Sequence, residues 1–188
     1  MPRLFTGIAL PADIRMRLSM VRGQLPGARW VAAENMHLTL RFAGDMDGRT
    51  ADEFARLLDD VRGTSFNLTL AGLDMFGGRD PHTLWVGATP EEPLDALRRA
   101  HDRAARACGL GPVGQPFKPH VTLARLRGLK TTTAARFLGD FGGFRTEPFL
   151  VDRFVLFSAR PTTGGPPYAI EHEYFLDEPA AGQALPAS

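Results

Sequence analysis

The stretch His37-Leu38-Thr39-Leu40 recurs, 83 residues further along the chain, as His120-Val121-Thr122-Leu123. Apolar and polar residues alternate in both copies, a pattern typical of a strand with one buried face. Because successive side chains of a strand point to opposite faces, each copy buries its aliphatic residues and presents one histidine and one threonine on the other face. If a pseudo-twofold axis relates the two halves of the chain, the two His-Thr pairs face each other across a cleft.

Strands and helices alternate around the two copies, and several strands follow one another without a helix between them. We predict strands at 5–10, 37–42, 66–70, 82–86, 117–126, 149–157 and 168–176, and helices at 11–25, 50–61, 93–108 and 132–138. Consecutive strands favour an α+β fold with an antiparallel sheet over a doubly wound parallel one. We predict one domain of two lobes with interleaved strands over residues 1–178, followed by a flexible tail at 179–188.

The composition is that of a globular protein, since 44% of the 188 residues are hydrophobic and 23% are charged. No stretch approaches the roughly 20 apolar residues that span a bilayer, and the first residues do not resemble a signal peptide. We therefore expect a soluble, cytoplasmic protein with no membrane partner. The net charge of +1 gives no general electrostatic reason to bind duplex nucleic acid, although residues 95–188 carry 12 basic and 9 acidic side chains, which favours an anionic ligand.

Two imidazoles that face one centre suit acid–base chemistry. Histidine titrates near neutral pH, so one ring can be protonated while the other is neutral. A threonine hydroxyl two residues further on can hydrogen-bond an oxygen of the substrate. Proton transfer at two ends of a phosphoryl group matches the transfer or hydrolysis of a phosphodiester. The motifs therefore predict a phosphodiester-cleaving site that requires no metal.

Other classes of protein stay open on the residues alone. A metal hydrolase would need further ligands, but the single Cys108 cannot build a cysteine-based site and no His-x-His, Glu-x-x-His or aspartate cluster accompanies the histidines. A non-catalytic RNA- or nucleotide-binding module would use the same cleft without proton transfer. A third alternative keeps the chemistry and changes the substrate, to another cyclic phosphate or a 2′-5′-linked oligonucleotide.

The motifs and their surroundings resemble the two-histidine phosphoesterases, and most closely the bacterial and archaeal RNA 2′,3′-cyclic phosphodiesterases, also called 2′-5′ RNA ligases. The resemblance covers nearly the whole chain and is carried, in order, by residues 5–10, 30–31, 35–44, 84–87 and 117–125. It implies two β-rich lobes, each an antiparallel sheet with outer helices, around a V-shaped central cleft.

The resemblance also implies a function and roles for the motif residues. His37 takes the position of the proton donor and His120 that of the proton acceptor, while Thr39 and Thr122 take positions that contact the phosphate. The implied substrates are RNA ends or nucleotides that bear a 2′,3′-cyclic phosphate, which open to the 2′-phosphate, and the reverse reaction would join RNA through a 2′-5′ linkage. No metal or organic cofactor is implied, and we expect a monomer with no obligate protein partner.

Three residues near the motifs are further candidates for substrate contacts. Arg125 matches a family arginine near the phosphate, but it lies an odd number of residues from His120, so it faces the cleft only if a bulge intervenes. Arg41 is evenly spaced from His37 and is an alternative source of positive charge. Phe5, at the start of a strand near the cleft, is a candidate for stacking on a nucleobase.

The remaining histidines carry weaker signals. His82 follows Pro81 and is expected in a loop, and His172 alternates with glutamates, as on the surface of an edge strand. His101 lies among arginines in a predicted helix and is expected on its solvated face. None of the three is predicted to be catalytic.

Overall fold

The computed structural model of the chain describes residues 3–23, 25–112, 114, 116–159 and 167–178. Its strands are β1 (Arg3–Ala9), β2 (Arg29–Trp30), β3 (His37–Asp45), β4 (Phe66–Phe76), β5 (Thr83–Thr89), β6 (His120–Arg125), β7 (Phe149–Val151), β8 (Arg153–Ala159) and β9 (Tyr168–Phe175). Its α-helices are α1 (Ala12–Ser19), α2 (Gly48–Leu58), α3 (Glu91–Ala107) and α4 (Thr131–Asp140). The tail predicted at 179–188 lies outside the described residues. None of the described helices is long and apolar enough to cross a membrane.

The strands form one antiparallel sheet that is divided at its centre. Its order is β7-β4-β5-β6-β3-β1-β8-β9, and β2 also pairs with β6. The central strands β3 and β6 share a single backbone pairing, Leu38 with Val121, after which β2 takes the place of β3 beside β6. We call β3, β1, β8 and β9 lobe 1 and β6, β5, β4 and β7 lobe 2. The predicted α+β class with two antiparallel lobes is confirmed.

The helices on each lobe come from both halves of the chain. Helix α3 packs on β3 and on α2, and Tyr174 of β9 donates a hydrogen bond to the carbonyl oxygen of Ala55 in α2. Lobe 2 is covered by α4, which packs on β4, and the Arg17 guanidinium of α1 lies 5.6 Å from the centre of the Phe144 ring, just beyond α4. The lobes are therefore interleaved in sequence.

Several element boundaries differ from the prediction, and two of the differences have a clear local cause. The single strand predicted at 149–157 is two strands that separate at Asp152, because β7 pairs with β4 of lobe 2 whereas β8 pairs with β1 of lobe 1. The chain crosses between the lobes at this residue. Helix α2 begins at Gly48, earlier than predicted, because the carboxylate of Asp47 accepts a hydrogen bond from the amide of Thr50 and caps the helix.

The core lies between the sheet and its outer helices and fixes which face of the motifs meets the cleft. Leu38, Val121 and Leu123 are fully buried on the helix side, together with Phe54 of α2 and Phe154 of β8. Burial of these side chains leaves the histidine and threonine of each motif on the opposite side, as the alternation predicts.

Candidate active site

The pairing of β3 with β6 brings the two motifs together. Leu38 lies opposite Val121 in an antiparallel register, and continuing that register by one residue in each direction sets His37 opposite Thr122 and Thr39 opposite His120. All four side chains line one cavity of about 270 Å³, whose other lining residues are Val31, Asn35, Phe42, Arg125 and Tyr168. Each histidine thus has a threonine from the other lobe as its neighbour across the strands.

The same backbone contact orients both imidazoles. The Nδ1 atom of His37 lies 2.8 Å from the carbonyl oxygen of Asn35, and that of His120 lies 2.7 Å from the carbonyl oxygen of Lys118. A carbonyl oxygen only accepts hydrogen bonds, so Nδ1 carries a proton in both rings and donates it. The Nε2 atom is left in each ring to accept or to deliver a proton.

A bulge in lobe 2 directs Arg125 into the cavity. Thr122 pairs with Trp85 and Ala124 pairs with Leu84, which leaves Leu123 as an extra residue on β6. Leu123 and Ala124 are both buried, and the alternation resumes one residue out of phase, so that Arg125 lines the cavity. Its guanidinium donates a hydrogen bond of 2.9 Å to the hydroxyl of Thr83. The bulge removes the conflict between strict alternation and the expected position of this arginine.

The matching bulge in lobe 1 turns Arg41 away from the cavity. Thr39 pairs with Gly7 and Arg41 pairs with Thr6, which leaves Leu40 as the extra residue on β3. Arg41 is only 5% exposed, and its guanidinium forms an ion pair of 2.9 Å with Asp102 of α3. The alternative in which Arg41 supplies the positive charge at the phosphate is therefore wrong. The residue that enters the cavity is Phe42.

His37 is surrounded by aromatic rings. Its ring centre lies 4.8 Å from that of Phe5, 5.5 Å from that of Phe157 and 5.1 Å from that of Tyr168. Burial among these rings lowers the pKa of His37, the hydrogen bond to the Asn35 carbonyl opposes this shift, and repulsion from His120 adds to it.

His120 has cations as well as rings beside it. Its ring packs edge-on against Phe76 at 5.0 Å and against Trp85 at 5.8 Å, and the ammonium of Lys118 lies 4.2 Å from the centre of the Trp85 ring. Burial is the main cause that lowers the pKa of His120, and the hydrogen bond to Lys118 opposes it. The positive charges of Arg125 and Lys118 lower this pKa further, so they favour the neutral ring.

Phe5 does not have the position expected of a base-stacking residue. It is 2% exposed, and its ring stacks on Phe157 at 4.9 Å while His37 and Tyr168 pack around it. A ring enclosed in this way has no free face for a nucleobase, so this prediction is wrong. Phe5 instead packs against the ring of His37.

The other histidines lie outside the cavity. His82 sits just before β5 with Nδ1 3.0 Å from the Thr83 hydroxyl, and His172 is exposed on β9, as expected. His101 is fully buried rather than solvated, because it lies on the face of α3 that packs against Phe154, 4.5 Å away between ring centres. Burial lowers its pKa to about 3.

Two further observations delimit the site. A larger cavity of about 470 Å³ lies near Arg49, Arg56 and Cys108, but it contains no histidine, and Arg56 there is already paired with Glu53. In the described part of the chain, no three His, Cys, Asp or Glu side chains cluster as ligands of a metal ion. The cavity between the lobes is therefore the candidate active site.

Two antiparallel lobes that bring paired histidines and threonines to one cleft define the two-histidine class that the sequence resembles. The family model of the 2′-5′ RNA ligase superfamily matches residues 10–162, and the chain belongs to this family.

Known relatives agree with this placement over most of the chain. The RNA 2′,3′-cyclic phosphodiesterase of Aeropyrum pernix is 33% identical over 164 residues, which is 85% of this chain and 92% of that protein. The protein of the same name from Thermotoga maritima is 29% identical over 180 residues, 91% of this chain and 94% of its own. These relatives confirm the predicted resemblance and the enzyme class, a phosphoric diester hydrolase.

Solved structures show the same fold. The crystal structure of Escherichia coli LigT in its apo form has a TM-score of 0.76 and 27% identity, and the match covers 94% of this chain and 98% of that one. A structure of the same Escherichia coli protein in complex with 3′-AMP has a TM-score of 0.75.

Proposed function

We propose that the protein hydrolyses the 2′,3′-cyclic phosphate of an RNA end or a nucleotide, with His120 as proton acceptor and His37 as proton donor. The observation that carries the proposal is the matched pair of imidazoles. Both line one cavity, and both have Nδ1 bonded to the carbonyl two residues earlier, which leaves two Nε2 atoms for proton transfer. The relatives named RNA 2′,3′-cyclic phosphodiesterase supply the substrate class.

The proposed reaction needs one proton acceptor and one proton donor on opposite sides of phosphorus. Water attacks phosphorus while Nε2 of His120 takes its proton, the bond from phosphorus to the ribose 3′ oxygen breaks, and Nε2–H of His37 protonates that oxygen. The product is the 2′-phosphate. When a 5′-hydroxyl attacks phosphorus in place of water, the same bond to the 3′ oxygen breaks and the 5′-hydroxyl is joined through a 2′-5′ linkage.

The surroundings of the two histidines support this division of roles. A base must be neutral before it reacts, and the positive charges of Arg125 and Lys118 favour neutral His120. Burial among the rings of Phe5, Phe157 and Tyr168 lowers the pKa of His37, which makes its protonated form a stronger acid towards the leaving oxygen.

The threonines and the arginine are suited to the charge that builds up on the phosphoryl oxygens. The hydroxyls of Thr39 and Thr122 line the cavity and are hydrogen-bond donors, and Arg125 offers a guanidinium that fits two phosphate oxygens. Preorganised donors of this kind stabilise a transition state without reorganising during the reaction. We propose that these three residues bind the non-bridging oxygens, and that the reaction proceeds without a metal ion.

Phosphorus NMR of the product from a 2′,3′-cyclic nucleotide, recorded with excess chelator, tests the proposal. We expect complete conversion to the 2′-phosphate. Mainly 3′-phosphate would mean that the acid and base assignments are exchanged, and turnover lost in chelator but restored by a divalent ion would indicate a metal hydrolase.

Variants of the two histidines separate an enzyme from a binding module. We expect His37→Asn and His120→Asn to bind the cyclic nucleotide but not to open it. A wild-type protein that binds the cyclic end of an RNA oligonucleotide and leaves it intact would favour the non-catalytic alternative.

A further inference from the structure

A second cavity adjoins the candidate active site beyond the ring of His37. It has a volume of about 220 Å³, and Asn35, His37 and Tyr168 line both cavities. Its far side is formed by residues of helix α1 and of the edge strand β9. One molecule of liquid water occupies roughly 30 Å³, so the cavity has room for a phosphoryl group. The cleft therefore continues past the proposed proton donor.

This second cavity contains an arginine without an acidic partner. Four arginines in the described part of the chain are at least partly buried, and three of them form ion pairs with acidic side chains, namely Arg41, Arg98 and Arg153. Arg15 of α1 is the fourth, and it lines the cavity. Among the described residues its guanidinium has no ion pair and no hydrogen bond. Since a partly buried cation is usually paired, Arg15 is available to an anion that enters the cavity.

The other side chains of the cavity limit which anion it suits. Glu34 lines it but is exposed, and within the described residues no ion pair joins its carboxylate to Arg15. Ile170 also lines it and is 53% exposed, which adds an apolar surface. One cation, one carboxylate that can accept from a hydroxyl and one apolar side chain suit a phosphoryl group with a ribose beside it.

The proposed mechanism determines which part of a substrate reaches this cavity. His37 protonates the ribose 3′ oxygen, so C3′ of the terminal nucleotide lies beside its ring. The next ring carbon is C4′, which carries C5′ and, in an RNA chain, the phosphodiester that leads to the preceding nucleotide. The chain therefore leaves the terminal ribose on the side of His37, where the second cavity lies.

We propose that Arg15 and the second cavity form a subsite for the phosphodiester on the 5′ side of the terminal nucleotide, so that the enzyme favours RNA ends over single cyclic nucleotides. The inference rests on the proposed function, because it extends the same substrate by one nucleotide. The phosphodiester is remote from the bonds that form and break, and it is bound equally in the ground state and the transition state. The subsite therefore acts on KM and leaves kcat unchanged.

The experiment compares three substrates in steady-state kinetics. They are 2′,3′-cyclic AMP with a free 5′-hydroxyl, the same nucleotide with a 5′-phosphate, and the dinucleotide ApA with a terminal 2′,3′-cyclic phosphate. For the wild type we expect KM to be about fivefold lower for the two substrates that carry a phosphoryl group on C5′, the effect of one partly exposed charge-assisted contact. Arg15→Gln should raise both of these KM values to that of 2′,3′-cyclic AMP, whose own kinetics should not change. Arg15→Lys keeps the charge and should retain part of the preference.

The matched control is Arg17→Gln, which removes an arginine of the same helix that lies over the Phe144 ring, outside both cavities. It should leave the preference intact. Equal KM values for all three substrates in the wild type, or a preference that Arg15→Gln does not alter, would overturn the inference and leave the proposed function standing. A gain for the 5′-phosphorylated mononucleotide alone would overturn it too, because the subsite would then bind a terminal phosphate and exclude an RNA chain.

Failure of the proposed function has a different signature. The wild type would then open none of the three substrates, and the subsite would be tested by equilibrium binding. Arg15→Gln should still weaken the binding of the dinucleotide about fivefold and leave that of 2′,3′-cyclic AMP unchanged. Equal binding of the dinucleotide by the wild type and Arg15→Gln would overturn the inference as well.

Discussion

The two walls of the cleft share a backbone and differ in their side chains. In both lobes a histidine bonds through Nδ1 to the carbonyl two residues earlier, and in both a bulge follows the threonine. Lobe 1 then surrounds its histidine with Phe5, Phe157 and Tyr168, whereas lobe 2 adds Arg125 and Lys118 beside its own. The backbone fixes where the imidazoles lie and leaves Nε2 of each ring free of the backbone contact, and in the proposed mechanism the side chains around them distinguish the acid from the base.

The fourth residue after each motif histidine, which directly follows the bulge residue, shows the same contrast. In lobe 1 the fourth residue after the histidine is Arg41, which ties β3 to α3 through Asp102. In lobe 2 the equivalent residue is Ala124, which is fully buried beneath the sheet. At this position lobe 1 carries a buried cation with a structural contact, whereas the arginine that lines the cavity, Arg125, belongs to lobe 2.

The largest expected effect comes from removing either imidazole. We expect His37→Ala and His120→Ala each to lower kcat on the order of 10²-fold or more, the usual contribution of a general acid or base. The double variant should lose much less than the product of the two single losses, because the pair acts as one unit. Steady-state kinetics on a 2′,3′-cyclic nucleotide measures all three.

The control for this comparison is His172→Ala, which removes an exposed histidine from β9 and should leave kcat unchanged. The two-histidine mechanism would be contradicted if the single variants kept near-wild-type activity and the wild-type rate only rose or only fell with pH.

The second prediction concerns the stability of lobe 1. Arg41→Met leaves the largely buried carboxylate of Asp102 with Arg98 alone, whose nitrogen is 3.3 Å away. We expect a loss of about 3 kcal/mol in the free energy of unfolding, because the carboxylate loses its buried partner and keeps only the more exposed one. Urea unfolding measures this loss, and kcat per folded molecule should stay near that of the wild type.

Arg98→Met is the matched control, since it removes the more exposed partner of the same carboxylate. We expect it to cost less than about 1 kcal/mol, the usual size for a surface ion pair. If Arg41→Met folded with unchanged stability and lost activity about 100-fold, Arg41 would be a phosphate ligand and its place behind the strand would be wrong.

The repeated motif was enough to predict its own two strands and their cleft-facing side chains, while the consecutive strands in the rest of the chain predicted the α+β class. Period-two alternation is a local property, and it holds for His37 and Thr39 and again for His120 and Thr122. The bulges after these residues depend on pairing with β1 and β5, so alternation alone misassigned Arg41 and did not identify Phe42. Arg125 lines the cavity although alternation alone places it on the other face, and its contact with the phosphate stays a prediction from the family resemblance.

The burial of individual side chains was the second feature that the sequence did not predict. The arginines around His101 indicated a solvated helix face, yet the helical position of His101 turns it onto Phe154 in the core. Phe5 is a candidate for base stacking on the sequence because it starts a strand near the cleft, but strands β3 and β8 flank β1, and Phe157 and Tyr168 enclose its ring. Both outcomes depend on which elements pack together, which is not a property of the local sequence.

The smallest predicted effect separates the acid from the base through pH. Arg125 lowers the pKa of His120, so Arg125→Gln should raise that pKa. If His120 is the base, the higher pKa means that its ring becomes protonated, and therefore inactive, at a higher pH. The acidic limb of kcat/KM then moves to higher pH. The variant should also lower kcat/KM about tenfold, since a charge-assisted contact to the phosphate is removed.

Two further variants separate the effect of the positive charge of Arg125 from the effect of its proposed contact with the phosphate. Arg125→Lys retains the positive charge, so the acidic limb should stay near its wild-type position although the paired contact to phosphate is lost. Arg79→Gln removes an arginine of the β4–β5 turn that does not line the cavity, and it should leave the profile unchanged. If Arg125→Gln moved the alkaline limb upward instead, the residue with the raised pKa would be the acid. His120 would then protonate the leaving oxygen, His37 would activate water, and the roles of the two walls would be exchanged.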